Sequence, residues 1–182
     1  MRISALGLAL AATLAAMPAA AQTAPGAANV YAGISGGYHD LFDNDLGDDG
    51  GVIGGAVAGV DVPLSTSETG DLIVGVEGNF HIGSGAIDTE YGVAARIGQR
   101  FPSGGVAYVR AGYQWVNLDI GNLIDVDGVD DDDIGVSDTV DDYLVGVGGE
   151  FPLGSDRTRV RVGVDTISFD SWRPNVGVIL NF

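Results

Sequence analysis

Val176-Gly177-Val178-Ile179-Leu180-Asn181-Phe182 decides the fold of this chain. Counting back from Phe182, the residues Leu180, Val178 and Val176 share one parity. Gly177 and Asn181 share the other, with Ile179 the single apolar exception. A period of two with one apolar face describes a β-strand, and this one runs to the final residue.

The opposite end carries an address. Arg2 supplies a short positive region, Ile3 to Ala16 is apolar, and Met17-Pro18-Ala19-Ala20-Ala21 offers a small-residue cleavage site. Residues 1–21 are therefore expected to be a cleaved secretory signal peptide, with Gln22 the first mature residue and 22–182 one domain. The apolar run is too short for a membrane helix, which needs about 20 residues. No other segment approaches one, so an integral protein would have to span as a closed β-barrel.

Composition narrows the function. The chain has no Cys, which excludes disulfides, thiolate metal sites and a lipidated N-terminal Cys. Net charge is −17 and all eight basic residues are Arg. Such acidity disfavours nucleic acid, whose phosphates it would repel. Fifteen of the 25 acids fall in two segments, Asp40–Asp49 and Asp119–Asp142, so most of the charge belongs to two loops. The 30 glycines interleave with Val, Ala and Tyr, unlike a flexible linker, and would let a small sheet curve.

Eight segments of about ten residues read as strands, the length a tilted strand needs to cross a bilayer. They are 29–39, 52–62, 71–82, 90–100, 105–117, 142–151, 159–169 and 173–182. Three similar proline turns are expected after the second, fourth and sixth: Val62-Pro63-Leu64-Ser65, Phe101-Pro102-Ser103-Gly104 and Phe151-Pro152-Leu153-Gly154. Asp- and Gly-rich loops at 40–51, 83–89 and 118–141 alternate with them, and the connection around Asp170-Ser171-Trp172 is short. Short turns on one side and longer loops on the other is the pattern of an outer-membrane barrel, with both termini on the periplasmic side. The faces separate as well: mid-strand charges fall on the parity opposite to the apolar one, and aromatics gather near strand ends. The fold class expected is all-β, an eight-stranded antiparallel up-and-down transmembrane β-barrel.

The signal peptide, the opening Val30-Tyr31-Ala32-Gly33-Ile34-Ser35-Gly36-Gly37-Tyr38, the acidic loops and the Phe182 ending resemble the small opacity-type and outer-membrane-protein-A-type barrels, often filed as porin-family proteins. The resemblance implies residence in the outer membrane as a monomer among its lipids and lipopolysaccharide. It also implies that Phe182 is part of the signal read by the barrel assembly machinery. The porin label would imply a narrow, cation-preferring channel.

The inward charges are Asp61, Glu77, Glu150 and Asp165 against Arg96, Arg100, Arg110 and Arg161. They can line a pore or pair into a plug. An eight-stranded barrel is only just wide enough for side chains, and buried charges must pair, so the plug is the favoured reading. Asp125, Asp127, Asp130 and Asp132 are dense enough to hold a divalent cation, but their spacing departs from the EF-hand pattern. The favoured reading there is a solvated, self-repelling loop. His39 and His81 are expected at the barrel rim, and Ser84 lacks a carboxylate partner for a nucleophile relay. No phosphate loop or zinc pattern occurs, so neither catalysis nor a cofactor is expected. The resulting expectation is a non-enzymatic barrel with a structural or surface-interaction role through its acidic loops.

Overall fold

The computed structural model describes residues 28–40, 50–118, 139–155 and 157–182. Eight strands follow one another: β1 Asn29–His39, β2 Gly51–Ser67, β3 Gly70–Ile82, β4 Ile87–Arg100, β5 Val106–Leu118, β6 Thr139–Ser155, β7 Thr158–Ile167 and β8 Arg173–Asn181. Each pairs antiparallel with the next, and β8 returns to β1 from Tyr31↔Asn181 to Gly37↔Asn175, closing the barrel. Closure leaves no unpaired edge. The start of β1 and the end of β8 lie at the end where β2–β3, β4–β5 and β6–β7 connect, hereafter the turn end. The opposite end is the loop end.

The stagger can be read from the ladders. One line of partners runs Asn29–Asp61–Gly75–Arg96–Arg110–Gly146–Asp165–Arg173. It returns to β1 opposite His39, ten residues beyond its start, between the pair Gly37↔Asn175 and the isolated bridge Asp40↔Trp172. With a rise of about 3.3 Å and a spacing of about 4.8 Å, that stagger sets a strand tilt of about 40° and a backbone radius of about 8 Å.

The two faces divide as the period predicts. Val76, Val93, Ile97, Val109, Val147, Val176 and Leu180 point outward and are exposed. Ile179, the exception in the closing strand, points inward, is fully buried and packs with Tyr31 and Val57. At the loop end Tyr91 stacks on Trp115 at 5.4 Å, and Tyr113 meets Trp115 and Tyr143 edge-on. Phe101, Phe151 and Phe182 are exposed at the turn end. Apolar flanks between two aromatic rows are what a bilayer core and its two interfaces select.

Two of the three expected proline turns are not turns. Pro63 lies within β2 and Pro152 within β6, each at a register shift, and the strands continue to Ser67 and Ser155. Proline cannot donate to a ladder, but a bulge leaves a residue unpaired, so it is accommodated there. Only Phe101–Gly105 turns at its proline, closed by bonds between Phe101 and Gly105 and between Gly104 and Phe101. The 83–89 segment is a tight turn instead of a loop. Gly83 N–H donates to Asp88 at 2.8 Å, Gly85 takes a positive φ of 69°, and β4 begins at Ile87. At the other correction, β7 ends at Ile167 because Ser168 and Phe169 adopt φ of 58° and 63°, outside any strand conformation.

Candidate functional site

The inward positions of the eight strands bring together the side chains with any chemical potential. Among the described residues, five carboxylates (Asp61, Glu77, Glu90, Glu150 and Asp165) and five arginines (Arg96, Arg110, Arg159, Arg161 and Arg173) are buried there. Their charges balance, which a low-dielectric interior requires.

Glu77 on β3 is the central acceptor. It takes hydrogen bonds from Tyr31 Oη at 2.7 Å, from Arg161 Nη1 at 2.5 Å and from Arg110 Nη1, and Arg96 Nη1 stands 3.5 Å away. Glu150 on β6 accepts from Arg161 at 2.8 Å, Arg96 at 3.0 Å and Arg159 at 3.2 Å. Asp61 approaches Arg96 Nε at 3.1 Å. Toward the loop end, Arg110 holds Asp165 through two bonds of 2.8 and 2.7 Å, a fork geometry that only arginine provides. Arg173 links Asp165, at 3.2 Å, to Glu90, at 2.5 Å. A continuous chain of ion pairs therefore runs from Arg159 near the turn end to Glu90 near the loop end.

Two tyrosines support the arginines. The Arg96 guanidinium lies 5.1 Å from the Tyr31 ring and 4.3 Å from the Tyr108 ring, and Arg161 is within 5.3 Å of both. Both rings need space that their strand neighbours supply. Tyr31 is paired with Gly59 and Tyr108 with Gly148, and a Cβ at either glycine would fall 2.5–2.6 Å from the tyrosine's Cζ.

Apolar side chains occupy the lumen on either side of this network. Ile53, Ala86, Ile87, Val116, Leu144 and Ile167 cluster at the loop end. Ile73, Val106 and Tyr108 form another cluster toward the turn end. A void beside Glu77, Asn79, Arg110 and Gln114 measures about 10 Å³, at most one water's worth.

Of the residues read as an interior charge network, Asp61, Glu77, Arg96, Arg110, Glu150, Arg161 and Asp165 come together. Arg100 does not: it is half-buried near the turn end, and the ion-pair chain passes without it. Glu90, Arg159 and Arg173 complete the network and lie outside the set expected from the sequence. Each lies at a strand end with inward parity, which was the available signal: Glu90 with Arg96, Arg159 with Arg161, and Arg173 with Asn175. The histidines are not rim residues. His39 and His81 are 0% and 5% exposed, and both face Glu90, at 2.8 and 3.2 Å. Ser84 instead bonds the backbone of Val52.

Ser35, His81 and Glu90 follow the order of a hydrolytic relay, with Ser35 Oγ 2.7 Å from His81 Nε2. The His81 Nδ1 contact to Glu90 is not aligned as a hydrogen bond, however, and Glu90 is committed to Arg173 and His39. The triplet is better described as part of the interior packing. The signal peptide 1–21 and the cation candidates Asp125, Asp127, Asp130 and Asp132 lie outside the described residues. Among the described residues no group of His, Asp or Glu is placed to hold a metal ion.

Comparison with known proteins agrees with this architecture. The model of the outer membrane protein β-barrel domain matches residues 6–179. A search of curated proteins finds no match. The N-terminal β-barrel domain of Pseudomonas aeruginosa OprF superimposes with a TM-score of 0.56 at 14% identity, covering 85% of this chain and 97% of that one. A de novo designed transmembrane β-barrel superimposes at 0.51 with 11% identity, covering 88% and 98%. At such identities the likeness concerns the fold.

Proposed function

The chain belongs to the outer membrane protein β-barrel domain family and is a bacterial outer-membrane protein, and from that premise we propose that it is a closed, non-enzymatic barrel whose role is structural or surface-interacting. The observation that carries this reading is the filled interior. Ten buried charges neutralise one another across the lumen, and apolar clusters close it toward both ends. An interior about 8 Å in backbone radius, once occupied in this way, leaves no aqueous path.

The balanced lining also gives no basis for cation preference, which the porin label would suggest. Net negative charge lies instead in the segments 40–49 and 119–142, which the fold joins to the loop end. With the short turns periplasmic, those segments face outward, where they can meet divalent ions, lipopolysaccharide or another cell's surface. The chain acts as a monomer in this reading and needs no cofactor.

Planar-bilayer recording on the refolded protein tests the closed barrel. The expected record at neutral pH is a baseline without steady steps. A persistent ohmic conductance that changes on replacing Glu77 or Arg96 would overturn the reading.

A further inference from the structure

We propose that His39 and His81 form an acid-operated latch at the loop end of the barrel, shut while both imidazoles are neutral and loosened at the β1–β8 seam when both are protonated. Glu90 is fully buried and receives three groups at once: Arg173 Nη1 at 2.5 Å, His39 Nδ1 at 2.8 Å and His81 Nδ1 at 3.2 Å. The far ring nitrogens are also engaged, His81 Nε2 with Ser35 Oγ at 2.7 Å and His39 Nε2 with Ser171 Oγ at 3.4 Å.

Among the described residues, charged groups face this cluster from five strands, and the exposed Asp40 follows His39 on β1. β4 brings Glu90, β8 brings Arg173, β7 brings Asp165, and β5 brings Arg110, which already grips Asp165 twice. β6 brings Asp142, bound to the Tyr143 amide, and β2 brings the apolar Ile53. With neutral imidazoles, two carboxylates face two arginines. Protonation of both histidines adds two positive charges and no anion. Glu90 can accommodate one imidazolium, but its Oε1 is shared between Arg173 and His81, and Asp165 has no free side. In the tautomer whose Nε2 accepts from Ser35, protonation of His81 turns that nitrogen into a donor and reverses the bond.

The cluster sits where the seam is thinnest. The β1–β8 ladder stops at Gly37↔Asn175, and beyond it only the Asp40↔Trp172 bridge remains, with bonds of 2.9 and 3.0 Å. His39 and Arg173 occupy the intervening position on opposite strands. An imidazolium at His39 therefore opposes the Arg173 guanidinium directly across the seam, and the bridge above it is the first structure to yield.

Amide hydrogen exchange on the full chain folded in phosphatidylcholine nanodiscs reads this out, with rates referenced to unstructured-chain rates at each pH. Protection of the Asp40 and Trp172 amides is expected to fall about tenfold or more between about pH 7.5 and 5, while Gly33 and Ile179 keep theirs. In the double variant His39→Gln, His81→Gln, which retains N–H donors for Glu90, the fall should vanish. In His81→Gln alone, one imidazolium remains and Glu90 can take it, so the fall should shrink to under about threefold. Unchanged protection in the wild-type barrel, or a full-sized fall in either variant, overturns the latch.

Discussion

Replacing Glu77 by glutamine removes the anion on which the interior converges while leaving its volume nearly intact. Three arginines approach that carboxylate, Arg161 at 2.5 Å, Arg96 at 3.5 Å and Arg110 in direct contact, and Tyr31 donates to it at 2.7 Å. A charge pair about 4 Å apart at an effective dielectric constant near 20 is worth about 4 kcal/mol, so the gross loss is of order 10 kcal/mol. Much of it is offset, because Glu150 and Asp165 still hold the same arginines and the carboxylate's own desolvation cost disappears. The net loss expected is that of a broken buried pair, about 3–5 kcal/mol, a large part of a typical domain stability. Urea unfolding in lipid vesicles, followed by tryptophan fluorescence and by heat-modifiable gel mobility, measures it. Arg100→Gln is the internal control, since Arg100 stands outside the ion-pair chain, and should cost under about 1 kcal/mol. If Glu77→Gln cost no more than the control, the interior would not be a tightly coupled network and the filled-lumen argument would fail with it.

Other consequences follow from the same geometry. Gly148→Val would place side-chain atoms where the Tyr108 ring lies and displace it from Arg96 and Arg161, costing about 1–3 kcal/mol by the same urea titration. Val147→Arg puts a charge on the lipid face in the middle of β6, with an expected cost of about 2–4 kcal/mol, whereas the same barrel should tolerate Val147→Leu. Phe182→Ala removes an exposed side chain at the turn end, so refolded stability by the same titration should change little.

The outward face was legible because lipid imposes one simple rule on alternate residues. Val176, Val178 and Leu180 obey it, and so do the mid-strand residues of β3 to β7. The rule gives no information where the ladder itself is irregular. Pro63 and Pro152 look like turns in one dimension, and only the register shift at each shows a bulge inside a longer strand. Ile179 breaks the alternation for a reason three strands wide: it fills a pocket between Tyr31 on β1 and Val57 on β2. The two histidines looked like rim residues because they stand near strand ends. Closure of the barrel turns both rings inward onto Glu90 of β4, a meeting that no count along the chain reveals.

The sequence by itself determined a closed eight-stranded sheet, the side of each strand that meets lipid, and the concentration of negative charge in two connecting segments. These follow from a period of two, from the spacing of turns and from composition, all of which are local. Which charges meet was decided only by the tertiary structure. Glu77 on β3 bonds Arg161 on β7, and Glu90 on β4 bonds Arg173 on β8, pairs of strands that stand opposite across the lumen. Such partners share neither sequence proximity nor a ladder, and come within 2.5 Å only because closure with a ten-residue stagger sets a radius that two facing side chains can just span.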